Sequence, residues 1–238
     1  NATPRDKARL DRIMGYIINR AQGAGFYAYR DGADLMALSV YLRTGGPNQN
    51  GARNAINSTF DRIRANQGNH GYWCYSNGGC RDSSTTQLAM AGLAAARGVF
   101  VHPNFGDANR SAQLNALVAR TRQAYTANGR AGGLVASERG HGYNAGYEPS
   151  YQQTASGLWC QIIGGADIND GSVQAYLRWL YNRYRYVDTE GARNSWPHSY
   201  YYYLWSSAKA YQFLLEAGIA PNAGNLSPDD FGNLGAGQ

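Results

Sequence analysis

Residues Gln67–Leu93, QGNHGYWCYSNGGCRDSSTTQLAMAGL, join the end of one helical pattern to the start of another, and the rest of the chain repeats that arrangement. The first half is a Gly/Asn loop carrying aromatics, with Cys74 and Cys80 inside it. Asp82, Ser83 or Ser84 then offers a side-chain oxygen to the unpaired N–H groups of a first helical turn. From Thr86 to Ala96 the residues are small, with Leu88, Met90 and Leu93 among them, so neighbouring helices can approach from several sides. This reads as an inner helix. Cys74 and Cys80 are close enough to close a short loop by a disulfide, leaving Cys160 over, which favours an oxidising compartment. The alternative is three buried free thiols, a common fate of cysteine.

Outward from this stretch the same order recurs. Upstream, Leu10, Ile13, Met14, Ile17 and Ile18 form one apolar stripe on a helix over Asp6–Ala21. Phe26-Tyr27-Ala28-Tyr29 reads as an aromatic loop, and Asp31 or Asp34 as the opening of a second helix, Leu35–Leu42. Ala52, Ile56, Phe60 and Ile63 mark the amphipathic helix that leads into Gln67, and the run from Gln22 to Tyr27 parallels that from Gln67 to Trp73. Downstream, a third amphipathic helix follows Asp107, and a long glycine-rich loop runs from Asn128 to Pro149, holding Glu138, His141, Tyr143 and Glu148. Gln152–Leu158 then matches Gln87–Leu93 at both ends and at the glycine. A fourth unit opens near Asp170, turns at Ser195-Trp196-Pro197 and continues as a helix from His198 to Leu215. Four helical hairpins at intervals of about fifty residues are the signature of a repeat architecture. The expected fold is all-α, with residues 1–218 as the repeat domain and 219–238 as a Gly/Asn/Pro-rich tail or linker.

Gln67, Gly71 and Trp73 fit the QxxxGxW core of the QW repeat, and here the chain resembles the terpenoid-cyclase and protein-prenyltransferase superfamily of α/α toroids. Ile63 matches the aliphatic position upstream, whereas Arg62 stands where that motif has an aromatic. The resemblance implies hairpins arranged around a ring with the second helix of each facing inward, here a small or incomplete α/α toroid. It does not carry over the superfamily's chemistry. The aspartate-rich protonating motif of the cyclases is missing. Asp82, Cys80 and His198 supply the residue types of the prenyltransferase zinc site but not its order. No metal or other cofactor is expected.

Composition narrows the function further. With 43% hydrophobic and 16% charged residues the chain has the makeup of a folded protein, and no apolar run reaches membrane-spanning length. The net charge of +6 comes almost wholly from scattered arginines, which argues against a nucleic-acid partner. Nineteen tyrosines and thirty glycines suit aromatic-lined loops of an extracellular protein, and the start at Asn1 fits a processed or excised chain. The aromatic candidates for ligand contact are Trp73, Tyr75, Tyr143 and Trp196, with a glycan as ligand; Trp73 is also expected to pack between hairpins. His141 with Tyr143, and His198 with Tyr200, are the pairs able to move protons, as a glycan lyase requires. The expectation is a secreted or cell-surface domain with a non-catalytic binding or assembly role. A polysaccharide lyase or hydrolase is the runner-up, ahead of a terpenoid-cyclase-like enzyme. The uncapped Leu10–Ile18 stripe adds self-association or a protein partner to that expectation.

Overall fold

The structure, a computed structural model, describes residues 3–131, 134–183 and 200–217. Among them the fold is all-α, with eight helices and one very short antiparallel strand pair. The helices are α1 (Pro4–Gly23), α2 (Ala28–Arg43), α3 (Gln49–Ala65), α4 (Ser83–Phe100), α5 (Ala108–Asn128), α6 (Tyr151–Ile163), α7 (Gly171–Tyr181) and α8 (Tyr200–Ala217). Strand β1 (Arg130–Ala131) pairs with β2 (Arg139–Gly140) inside the long loop between α5 and α6. The chain divides into two compact units, one formed from residues 1–81 and 85–118, the other from 82–84 and 119–238. The tail from 219 lies outside the described residues. No described helix is long and apolar enough to cross a membrane.

In the first unit, α1 starts cleanly because Thr3 and Asp6 form a reciprocal capping box and Pro4 occupies the first turn. Its apolar stripe is only half used. Met14 and Ile18 are buried, but Leu10 is 52% and Ile13 57% exposed. Helix α2 begins seven residues before the expected Leu35, and the reason lies in its aspartates. Asp31 and Asp34 do not open the helix from outside; both are buried along it and bound by arginines. Asp31 accepts from Arg62 of α3 at 3.0 Å and reaches back to the Tyr27 N–H at 3.0 Å, while Asp34 pairs with Arg20 of α1. Arg62, the residue at odds with the QW pattern, also donates to the Ala21 carbonyl at 2.5 Å. The guanidinium therefore ties α3 to the end of α1 and the start of α2.

The small residues of the inner-type helices permit close crossings. A Cβ on Gly92 of α4 would lie 2.8 Å from the Gly32 carbonyl of α2, and one on Gly157 of α6 would lie 2.6 Å from the Tyr176 ring of α7. These are the two glycines that the internal match between Gln87–Leu93 and Gln152–Leu158 brings into register. In the second unit α6 packs against both α7 and α8. Among its described residues Trp159, Tyr125, Tyr176 and Tyr203 are the largest fully buried side chains, and Ser156 and Ser206 join α6 to α8 at 2.9 Å.

Cys74 and Cys80 are joined as a disulfide and Cys160 is a buried free thiol. Burial pushes the Cys160 thiol up, against the opposing effect of a hydrogen bond with Tyr125. It is a packing residue of α6.

Candidate functional site

The loop from Asn128 to Pro149 is held from both sides within the second unit. Its outer arm is the β1–β2 pair, with Arg130 opposite Gly140 and Ala131 opposite Arg139. Below that pair Glu138, fully buried, accepts from Arg183 through both oxygens, at 2.7 and 3.0 Å, from Asn182 at 2.8 Å and from the Leu134 N–H at 3.0 Å. Burial alone would raise its pKa, but Arg183, Asn182 and the Leu134 amide hold it down to about 2. Glu138 is thereby a structural carboxylate rather than an acid or base.

The inner arm is anchored by His141, which has no exposed surface. Its backbone N–H donates to Thr154 Oγ1 at 3.0 Å, and its carbonyl accepts from the Ser150 N–H at 3.0 Å. The imidazole Nδ1 lies 2.9 Å from Ser83 Oγ and 2.8 Å from the Gly142 carbonyl, and the Tyr125 ring packs edge-on at 4.7 Å. Burial holds the His141 pKa at about 4, against the raising effect of the Gly142 carbonyl, so the ring is neutral near pH 7. Ser83 completes the clamp by donating its N–H to the Tyr143 carbonyl at 2.9 Å.

Between these anchors residues 143–150 fold back on themselves. The Tyr147 N–H donates to the Asn144 carbonyl at 3.0 Å, with Gly146 at φ +89°, where a side chain would strain the turn. This turn brings Tyr143, Gly146, Tyr147, Glu148, Ser150 and Gln152 together with Arg130 around a cleft of about 640 Å³. Tyr143 is 42% and Tyr147 61% exposed. Arg130 donates to the Gly146 carbonyl at 2.8 Å and forms an ion pair with Glu148 at 3.1 Å. Ser150 is the N-cap residue of α6, yet its side chain makes no capping hydrogen bond, and its buried Oγ has no hydrogen-bond partner.

Compared with protein-family models, curated proteins and solved structures, the chain matches none. What the cleft can do must be read from its side chains. Two exposed aromatic rings, one cation, one carboxylate, a hydroxyl and an amide make a surface suited to stacking and hydrogen bonding a polar ligand.

Of the candidate ligand-contact and proton-moving residues that are described, Tyr143 alone lines this cleft, beside Glu148 of the same loop. His141 lies close in sequence but is fully enclosed, so its imidazole does not reach solvent. Trp73 is likewise fully buried in the first unit, without a face for a ligand. Tyr75 is 38% exposed and sits with Tyr27 and Tyr29 in a surface cluster, with ring centroids 5.8–6.5 Å apart. Trp196 and His198 lie outside the described residues, as does the side chain of Tyr200. Among the described residues no three His, Cys, Asp or Glu side chains converge as metal ligands. Arg130, Tyr147, Ser150 and Gln152 were not legible as site residues. The sequence signal that could have found three of them is the Asn144-Ala-Gly146 turn, followed by a serine where a helix begins.

Proposed function

We propose that this chain is a secreted or cell-surface α/α-toroid domain with a non-catalytic binding role, and that its ligand is a glycan held in the Tyr143–Tyr147 cleft. The observation that carries the proposal is the composition of that cleft. Two tyrosines present exposed faces beside an Arg130–Glu148 pair, while the nearby imidazole of His141 is sealed away. Aromatic faces with a few fixed polar groups orient a ligand that has both apolar and hydrogen-bonding faces, as a sugar ring does. Hydrolysis by paired carboxylates needs two acids across one bond, and among the described residues the cleft lining contains only one carboxylate, Glu148, already bound to Arg130.

The ring arrangement of the hairpins is part of the same reading, as is membership of the cyclase and prenyltransferase superfamily. Its supports are the QxxxGxW residues, the matching glycines of α4 and α6, and the contrast between the one-sided α1 and the nearly all-buried α6. Secretion rests on the disulfide.

A polysaccharide lyase is the second reading, favoured by the position of Tyr143, a possible proton donor or acceptor, in the cleft wall. A glycan panel separates the two. The full chain is expected to be retained by at least one polysaccharide without product release, and Tyr147→Ala to weaken retention about tenfold, the loss of one good aromatic contact. A rise in unsaturated uronate absorbance would establish the lyase instead. Retention by no polysaccharide would contradict both.

A further inference from the structure

We infer that the cleft takes an acidic glycan, and that the carboxylate of a uronic-acid unit is received by Arg130, Ser150 and the first turn of α6. The inference rests on the glycan reading above and names the class of sugar within it.

The first observation is electrostatic. Helix α6 runs for 13 residues from Tyr151, and its N-terminal end carries the partial positive charge of the helix dipole. At most helix starts a serine N-cap turns its hydroxyl inward to accept from the first-turn amides. Ser150 does not. The second observation is independent of the helix. Ser150 is only 4% exposed, lines the cleft, and its Oγ has no hydrogen-bond partner. A buried hydroxyl left without a partner carries a desolvation cost that a ligand oxygen relieves. A carboxylate accepts from that hydroxyl and from a guanidinium and is favoured by the dipole at a helix N-terminus, so one group suits all three.

The third observation concerns Glu148. Its carboxylate lies 3.1 Å from the Arg130 guanidinium at the cleft, the kind of charge partner that a uronate supplies. Both side chains are half exposed, with Arg130 at 44% and Glu148 at 55%, so the pair is readily exchanged for another anion. Glu148 is therefore an internal competitor. A neutral sugar leaves the Arg130–Glu148 pair intact, whereas a uronate takes over Arg130 and releases Glu148 to water.

The test uses the full chain and three probes, oligosaccharides of galacturonate, glucuronate and mannuronate, each beside its carboxyl-reduced counterpart, which differs only in the acid group. At low salt at least one acidic oligosaccharide is expected to bind about tenfold more tightly than its reduced form, with the advantage shrinking as salt is added. Arg130→Gln should abolish the difference, Ser150→Ala should reduce it, and Glu148→Gln should tighten acid binding severalfold by removing the competitor. Equal affinity for acid and reduced forms would overturn the inference while leaving the glycan cleft in place. Binding of neutral glycans alone would do the same. Failure of every glycan, charged or neutral, would overturn the cleft reading itself. Glu148→Gln weakening acid binding would show Glu148 to be a direct ligand contact, which also contradicts the competitor role.

Discussion

Replacing Trp73 with alanine is expected to destabilise the first unit by about 3–5 kcal/mol, the range for removing a large buried aromatic. The indole is fully enclosed, and its ring N–H donates to the Ile63 carbonyl near the end of α3 at 2.8 Å. Its backbone N–H donates to Thr86 Oγ1 at 3.0 Å and its carbonyl accepts from Thr85 Oγ1 at 2.8 Å, both on α4. One residue thus fastens the end of α3 to the start of α4. Gln67 adds a third attachment, donating to the Leu117 carbonyl of α5 at 3.0 Å and to the Gly71 carbonyl at 3.3 Å. Trp73→Phe keeps much of the volume but removes the ring N–H, leaving the Ile63 carbonyl with the longer bond from the Asn66 N–H at 3.3 Å, and should cost about 1 kcal/mol beyond the lost packing. Urea unfolding of the two variants checks the order; a Trp73→Ala transition that coincides with wild type would show that the ring is not a packing residue.

Acid should unfold the chain in two stages, each traceable to one buried group of the second unit. His141 stays neutral in the folded chain down to about pH 4, whereas an unfolded imidazole takes up its proton near pH 6.5. Between those values the unfolded state binds more protons, so stability is complete above about pH 6.5 and lost as pH falls toward 4, by on the order of 3 kcal/mol. Glu138 adds the second stage. Its folded pKa of about 2 is below the ordinary value of 4.5, so its contribution is present above about pH 4.5 and lost as pH falls from there toward 2. Unfolding free energies measured in steps from about pH 8 to pH 3 should decline first in the histidine window and then in the carboxylate window. A flat profile between about pH 7 and pH 4.5 would contradict the burial of neutral His141.

The helices were legible because their apolar spacing is a local property, and so was the disulfide, whose cysteines share one short loop. The start of α2 was not. Asp31 and Asp34 resemble caps in sequence, and only the arrival of Arg62 and Arg20 from other helices makes them buried helical residues. The same holds for Glu138, satisfied by Arg183 forty-five residues away. Sequence placed His141 and Tyr143 in one loop and read them as a pair, whereas the structure buries the first and exposes the second. The backbone bonds of His141 to Thr154 and Ser150 draw the imidazole inward and leave the tyrosine out. Ser150 is the subtlest case. A serine before a helix reads as a cap, and nothing local reveals that its hydroxyl makes no capping bond and lies buried without a partner.

That the cleft between Arg130 and Gln152 is a ligand-binding surface is tested most directly by amide hydrogen exchange of the full chain with and without a polysaccharide that retains it. Protection is expected in residues 141–153, where the loop and the first turn of α6 line the cleft, with no change at the Tyr27, Tyr29 and Tyr75 cluster. Protection confined to that cluster, with residues 141–153 unaltered, would place the ligand on the first unit and contradict the assignment.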